Sequence, residues 1–371
     1  MDFAFDETQE ELRQTVRSFF EATAPEAELR RVMETEAGYD PALWRRMGSE
    51  LGLQGLAVPE QYGGAGAGPV EVGLVMEEMG RALVCSPYLA SAVLATTVLL
   101  QGDDEEACAR LLPDLVSGER VATLALTEDS ARWDREAVAL TAVPAGDGWL
   151  LNGHKNFVLD GAQADVVLTA ARTSDGIRVF LVEGGATGLV RTALPTLDPT
   201  RRQARLEYWD VRARPLRVRG DAWRPVESAL HHGAVALAAE QVGVASRALD
   251  MAVEYAKIRR QFGRAIGSFQ AVKHLLADVL MEVESARLAA YAALLAAQDA
   301  DPGLPAAASL AKAFCSEACL KATEDNIQVH GGIGFTWEHT AHLYFKRAKT
   351  SQLLFGDPQY HRELLARAVG V

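Results

Sequence analysis

Cysteine is scarce in this chain: its 371 residues carry four, at positions 85, 108, 315 and 319, with no Cys-x-x-Cys pair among them. The count excludes a disulfide scaffold, and Cys315 and Cys319, four apart, decorate one helix face rather than bind zinc. Positive charge is also short. Lys and Arg total 37 against 50 Asp and Glu, a net charge of −13. That balance excludes a broad electrostatic surface for nucleic acid or anionic lipid, and leaves room for a local basic pocket holding a phosphorylated small molecule. Long apolar runs are missing as well. The most apolar stretch, 90–100, is short and broken by Thr96 and Thr97, so no segment is expected to span a membrane. The opening Met1-Asp2-Phe3-Ala4-Phe5-Asp6 lacks the basic-then-apolar order of a secretion signal, which points to a reduced, cytoplasmic protein. What remains is ordinary for a globular chain of two or three domains, 49% hydrophobic and 23% charged.

The pattern changes twice along the chain, and the fold class expected is α+β and multidomain. Residues 1–120 read as an N-terminal all-α domain. There Asp6-x-x-Gln9 resembles a capping box, and Leu12, Val16 and Phe19 follow at helical spacing. Glu71 to Leu83 repeats the helical pattern with Val72, Val75, Met76 and Met79, and Tyr62–Pro69 is a glycine-rich loop without phosphate-loop spacing. Residues 121–222 switch to short alternating runs, as in a small β-barrel or sandwich. Pro144–Gly148 and Thr173-Ser174-Asp175-Gly176 are turn signals between them. The segment from Arg201 to Arg224 holds eight arginines. It reads either as a solvated strand edge and linker or as a local phosphate patch. Residues 223–371 are Ala-rich and helical, a four-helix bundle. Val235, Ala238, Val242, Ala245, Leu249, Ala252 and Ala256 form a seam, and Gly331-Gly332 ends a later helix.

Two segments of the last region resemble the acyl-CoA dehydrogenase family. Arg259-Arg260-Gln261-Phe262-Gly263, followed by Gln270, is similar to that family's Arg-x-x-Phe-Gly…Gln stretch. Gln328-Val329-His330-Gly331-Gly332-Ile333-Gly334-Phe335 resembles its Gln-x-x-Gly-Gly-x-Gly-aromatic signature, and the helices–strands–helices order matches over the whole chain. The resemblance implies FAD, an acyl-CoA substrate, an electron-transfer flavoprotein as acceptor, and a tetramer, either homomeric or with a related chain. It implies that Arg259 binds the cofactor's pyrophosphate and that Phe262 packs on its adenosine. Gln328, Gly331 and Gly332 would meet the same nucleotide, held for a neighbouring subunit, while Thr127 and Phe157 would face the chain's own flavin ring. The chemistry implied is α,β-dehydrogenation: a carboxylate takes the Cα proton of the thioester and hydride passes from Cβ to flavin N5.

The sequence departs from the family where a base is needed. Phe355 of Leu354-Phe355-Gly356-Asp357 stands at the usual glutamate position, and Gly233 at the alternative one on the first bundle helix. Glu240 is the remaining candidate on that helix, as a base or as a salt-bridge partner to a neighbouring arginine. Asp357 is a weaker alternative that otherwise begins a turn with Pro358. The flavin-side loop is altered too: Thr127-Glu128-Asp129-Ser130-Ala131-Arg132-Trp133-Asp134 lacks the family's glycines, and Leu159 replaces a hydroxyl residue. An intact lending half beside an eroded receiving half suits one subunit of a heteromeric enzyme. His339 and His342 read as interface or surface residues, and no metal site is expected.

Overall fold

The computed structural model describes residues 6–146 and 148–371, so Met1–Phe5 and Asp147 of the expected turn lie outside the described residues. Two compact units share the chain. One gathers the residues up to Arg31 with Pro69–Val84 and Ala234–Val371; the other gathers Val32–Gly68 and Cys85–Gly233. The N-terminal helices are therefore divided between the units.

The first unit is helical. Its α1 (Glu7–Thr23) starts at the expected box, in which Asp6 accepts from the Gln9 amide at 2.8 Å and the Gln9 side chain accepts from the Asp6 amide at 3.2 Å. A short α2 (Glu26–Met33) follows α1. With α3 (Pro41–Leu51) assigned to the second unit, α4 (Pro69–Ala82) returns to the first. There Gly80 meets the backbone of Glu240 and Gly243 that of Glu77 so closely that no side chain fits at either glycine. Further along the chain, α5 (Thr96–Gln101) and α6 (Glu105–Ser117) belong to the second unit. The long α7 (Arg224–Ile258) buries every residue of the seam read from sequence, Val235 through Ala256. Next come α8 (Gln270–Gln298), α9 (Leu304–His330), α10 (Ala341–Leu353) and α11 (Pro358–Ala368). The C-terminal region therefore has five helices: α8, α10 and α11 all pack on α9. No helix among the described residues is long and apolar enough to cross a membrane.

The second unit is built on a closed barrel. Strands β2 (Thr141–Ala145), β3 (Gly148–Leu159), β7 (Gln203–Pro215), β5 (Gly176–Glu183) and β4 (Val166–Thr173) pair in that order, and β4 returns to β2 through Thr141 and Arg172. Closure removes the free edges that an open sheet would expose. Two strands lie off the ring: β1 (Ala122–Ala125) runs parallel to β4, and β6 (Leu189–Ala193) antiparallel to β7. Leu151, Val158, Val167, Phe180, Val182, Leu206, Tyr208 and Val211 fill the core. The Asp-Gly signal is a hairpin turn, with Thr173 opposite Gly176 at φ 128°. The alternation read for β5 is incomplete, because Val179 to Val182 are buried on both faces. The fold class read from the sequence, α+β with a helical start, a barrel middle and a helical end, is the one found.

Candidate functional site

Arg259 stands where α7 ends and the chain turns into a hairpin of β8 (Arg260–Gln261) and β9 (Arg264–Ala265). Its carbonyl accepts from the Ile266 amide at 2.8 Å, which pins the hairpin base. Its guanidinium is exposed, with no carboxylate partner among the described residues. Phe262 and Gly263 make the turn at φ 52° and 78°, and Phe262 is left 90% exposed, which an isolated surface would not favour. Gln328 is exposed on the last turn of α9. Gly331 ends that helix at φ 66°, ψ −143°, backbone that a side chain would strain. A Cβ at Gly331 or Gly332 would meet nothing within 4 Å, so their backbones are open to an approaching group. Phe262 and Gln328 share a shallow cleft of about 390 Å³ with Ile266, Phe269, Val272 and Leu275. Arg259, Gly331 and Gly332 lie outside that lining, and the Phe262 ring meets Phe269 edge-on at 6.1 Å. An exposed guanidinium, an aromatic ring, an amide and open glycine backbone are groups of the kind a nucleotide uses.

The barrel residues present a different picture. Thr127 is 3% exposed and its hydroxyl donates to the Asn156 carbonyl at 2.6 Å, so it is already used inside the fold. Phe157 is 37% exposed at φ 57°. Leu159 is buried in the barrel wall. The altered loop is bound down by Asp129, which meets Arg205 Nη1 and His154 Nε2 at 3.0 Å and Asn156 Nδ2 at 3.2 Å. The carboxylate ties the loop to β3 and β7, and Ser130 and Arg132 stand where the resemblance expects glycine. Beneath the loop lies a pair that sequence reasoning missed, Lys155 Nζ to Glu128 Oε1 at 2.8 Å. Burial pushes the Lys155 ammonium down to about 8 against the pull of Glu128. Burial alone would raise the Glu128 carboxyl, but the Lys155 charge and the Leu140 and Ala139 amides hold it below the carboxylate range. Glu128 sits in the loop quoted above, but its partner lies 27 residues further along the chain.

Neither candidate base is poised as one. Glu240 is the salt-bridge partner: its Oε1 lies 3.1 Å from Arg347 Nη1, with the two side chains 3% and 2% exposed. A carboxylate locked to a guanidinium in the interior is committed to that charge. Asp357 is exposed and caps α11, accepting from the Tyr360 amide at 2.8 Å. Phe355 itself is 3% exposed and takes φ 60°, left-handed backbone that is costly for a residue with a side chain.

The arginine segment is likewise consumed by structure. Arg202 donates to the Met33 and Thr35 carbonyls, Arg205 pairs with Asp129, Arg214 with Asp104, and Arg217 with Glu106. The linker reading holds for these four.

Near Gln328, His330 stacks on Tyr255 and meets the tilted ring of His339, with ring centroids 4.3 Å away in each case, and His342 meets Trp337 at 4.7 Å. No group of three potential metal ligands occurs among the described residues. Burial, then Lys346 and Arg30, pushes the His342 imidazole down to about 4. The unfolded chain therefore binds the extra proton between about pH 6.5 and 4, and the folded state loses stability as pH falls through that window. Thermal melts from pH 7 to 4 should show this loss, and H342F should make the slope measurably shallower, with His231, His330 and His339, also pushed down by burial, supplying the rest. An unchanged acid slope in H342F would refute the assignment.

The chain matches known proteins over nearly its whole length. Residues 6–119 match the description "Acyl-CoA dehydrogenase, N-terminal domain", residues 123–209 the middle domain, and residues 220–370 the C-terminal domain. The chain is 36% identical to acyl-CoA dehydrogenase IpdE2 of Mycolicibacterium smegmatis, over 97% of each protein. It is similar to the solved Tcur3481-Tcur3483 steroid ACAD variant, at 34% identity and TM-score 0.89 over 98% of each chain. It is also similar to a chain of the ChsE4-ChsE5 complex from Mycobacterium tuberculosis, at 30% identity and TM-score 0.91, over 100% of this chain and 99% of that one.

Proposed function

Since the chain belongs to the acyl-CoA dehydrogenase family of flavin oxidoreductases, we propose that it is one subunit of a heteromeric enzyme, lending its bundle to a related chain's FAD. The observation that carries this reading is the contrast between two halves. The nucleotide-facing groups Arg259, Phe262, Gln328, Gly331 and Gly332 stand open, while Phe355 occupies the base position and the flavin-side loop lacks the family's glycines, with Asp129 paired to Arg205.

FAD, when bound, supplies the hydride acceptor for α,β-dehydrogenation of an acyl-CoA. This chain's part is to bind and orient. The Arg259 guanidinium neutralises phosphate charge through paired N–H groups, the Phe262 ring covers adenosine, and Gln328 with the glycine backbone adds donors. Proton abstraction belongs to the related chain, because Glu240 is ion-paired and Asp357 is a helix cap. Two of the similar solved structures are named as pairs of chains, and one of those as a steroid ACAD, which supports a heterotetramer acting on a bulky acyl group. Electrons then pass to an electron-transfer flavoprotein.

Purification alone and together with a related chain bearing the glutamate tests the reading. Alone, the protein should be flavin-poor, and F355E should stay inactive because a base does not restore the altered flavin-side loop. Together, the complex should be yellow and bleached anaerobically by its acyl-CoA. A yellow, active preparation of the chain alone would overturn the proposal.

A further inference from the structure

Arg259 and the segment from Gln328 to Gly332 come from two helices, and they serve one nucleotide only if the ends of α7 and α9 keep a fixed separation. The backbone ties at these ends hold each by itself. On α7 the Arg259 amide donates to the Tyr255 carbonyl at 2.8 Å. Beyond the hairpin, Gly267 packs on the same helix so closely that a Cβ there would lie 2.9 Å from the Ala256 carbonyl oxygen. On α9 the Gly331 amide closes the helix onto the Gln328 and Ile327 carbonyls.

What crosses from one end to the other is a pair of rings. Tyr255, one turn before Arg259, lies face to face with His330, the residue before Gly331, with centroids 4.3 Å apart and planes 28° apart. The His330 ring also meets His339, just ahead of α10, at 4.3 Å and 46°. Each imidazole is pinned through Nδ1: that of His330 donates to the Asn326 carbonyl at 2.8 Å, and that of His339 accepts from the Ala341 amide at 3.1 Å. Burial pushes both below the ordinary histidine value, so the rings meet uncharged near neutral pH. Gly334 folds the next turn back onto this point, where a Cβ would lie 3.2 Å from that of His330. His330 is thus held from three sides, and the groups beside it in sequence are those left open to the nucleotide.

We propose that Tyr255 and His330 are the positioning residues of this edge, their stacked rings setting the separation at which Arg259 and the Gly331-Gly332 backbone meet one nucleotide together. Neither ring is a nucleotide-facing group; each acts through the residues that follow it in the chain. The inference rests on the lending of this bundle to a related chain's FAD.

The test uses the assembled complex, stripped of flavin and titrated with FAD and separately with FMN, which lacks the adenosine half. Y255A and H330A in this chain should each weaken FAD by roughly two- to tenfold, the range an aromatic pair contributes, with FMN bound as in the parent complex. Y255F, which keeps the ring, should bind FAD like the parent. In the R259A background Y255A should cost less than it does alone, because the residue it positions is gone. Should Y255A fail to assemble, Y255L, apolar but without a flat ring, carries the same expectation. FAD held by the assembled variant as tightly as by the parent, or FAD and FMN weakened alike, would overturn the proposal. R259A separates this from the functional reading. If R259A weakens FAD and Y255A does not, the positioning role alone falls; if neither does, the lending falls and the positioning role with it.

Discussion

Replacing Glu240 by glutamine should destabilise the helical unit by about 3–5 kcal/mol, the usual cost of leaving one charge of a buried pair uncompensated. The partner left behind is Arg347, whose Nη2 also donates to the Val84 carbonyl at 3.3 Å and whose side chain is 2% exposed. The double variant E240L/R347M, apolar and of similar volume, should recover most of that loss, because neither desolvated charge then remains. Urea denaturation of the three proteins measures both effects through the transition midpoint. The alternative role for Glu240 makes the opposite prediction. A catalytic carboxylate replaced by its amide leaves a protein as stable as wild type and an assembled enzyme without turnover, and that result would return Glu240 to the position of base.

Much of this was legible in the sequence, and the reasons differ by element. The seam of α7 could be read because its small and β-branched residues recur at steps of three and four, and a helix that buries one stripe has no other way to place them. The box at Asp6 and the glycine stop at Gly331 are local signals, satisfied by atoms within three or four residues. The barrel was less clear. Its strand β5 is buried on both faces, so period-two alternation fades where burial is greatest. For the site, the family resemblance singled out Arg259 and Gln328, but which side chains are spent and which are open is set by partners far along the chain. Thr127 gives its hydroxyl to Asn156, Glu240 meets Arg347 across 107 positions, and Lys312 reaches a turn 44 residues away. No spacing rule relates those numbers. The charge pattern did leave one trace: an acidic residue in the apolar face of α7 needed a cation, which is the arginine that the salt-bridge alternative for Glu240 named.

The account depends on one chain's arginine holding another chain's cofactor. Its largest functional consequence is at Arg259, exposed and without an acidic partner among the described residues. A charge-assisted contact to phosphate contributes about 1.5–3 kcal/mol, so its loss lowers affinity by roughly ten- to more than a hundredfold. The change should not disturb the fold, because only the backbone of Arg259 pins the hairpin. The decisive measurement is the FAD dissociation constant of the complex carrying R259A in this chain alone, with assembly checked by size. Weakening by at least about tenfold in an intact complex is the predicted result. Flavin bound as tightly as in the parent complex would contradict the lending of this bundle and, with it, the functional reading.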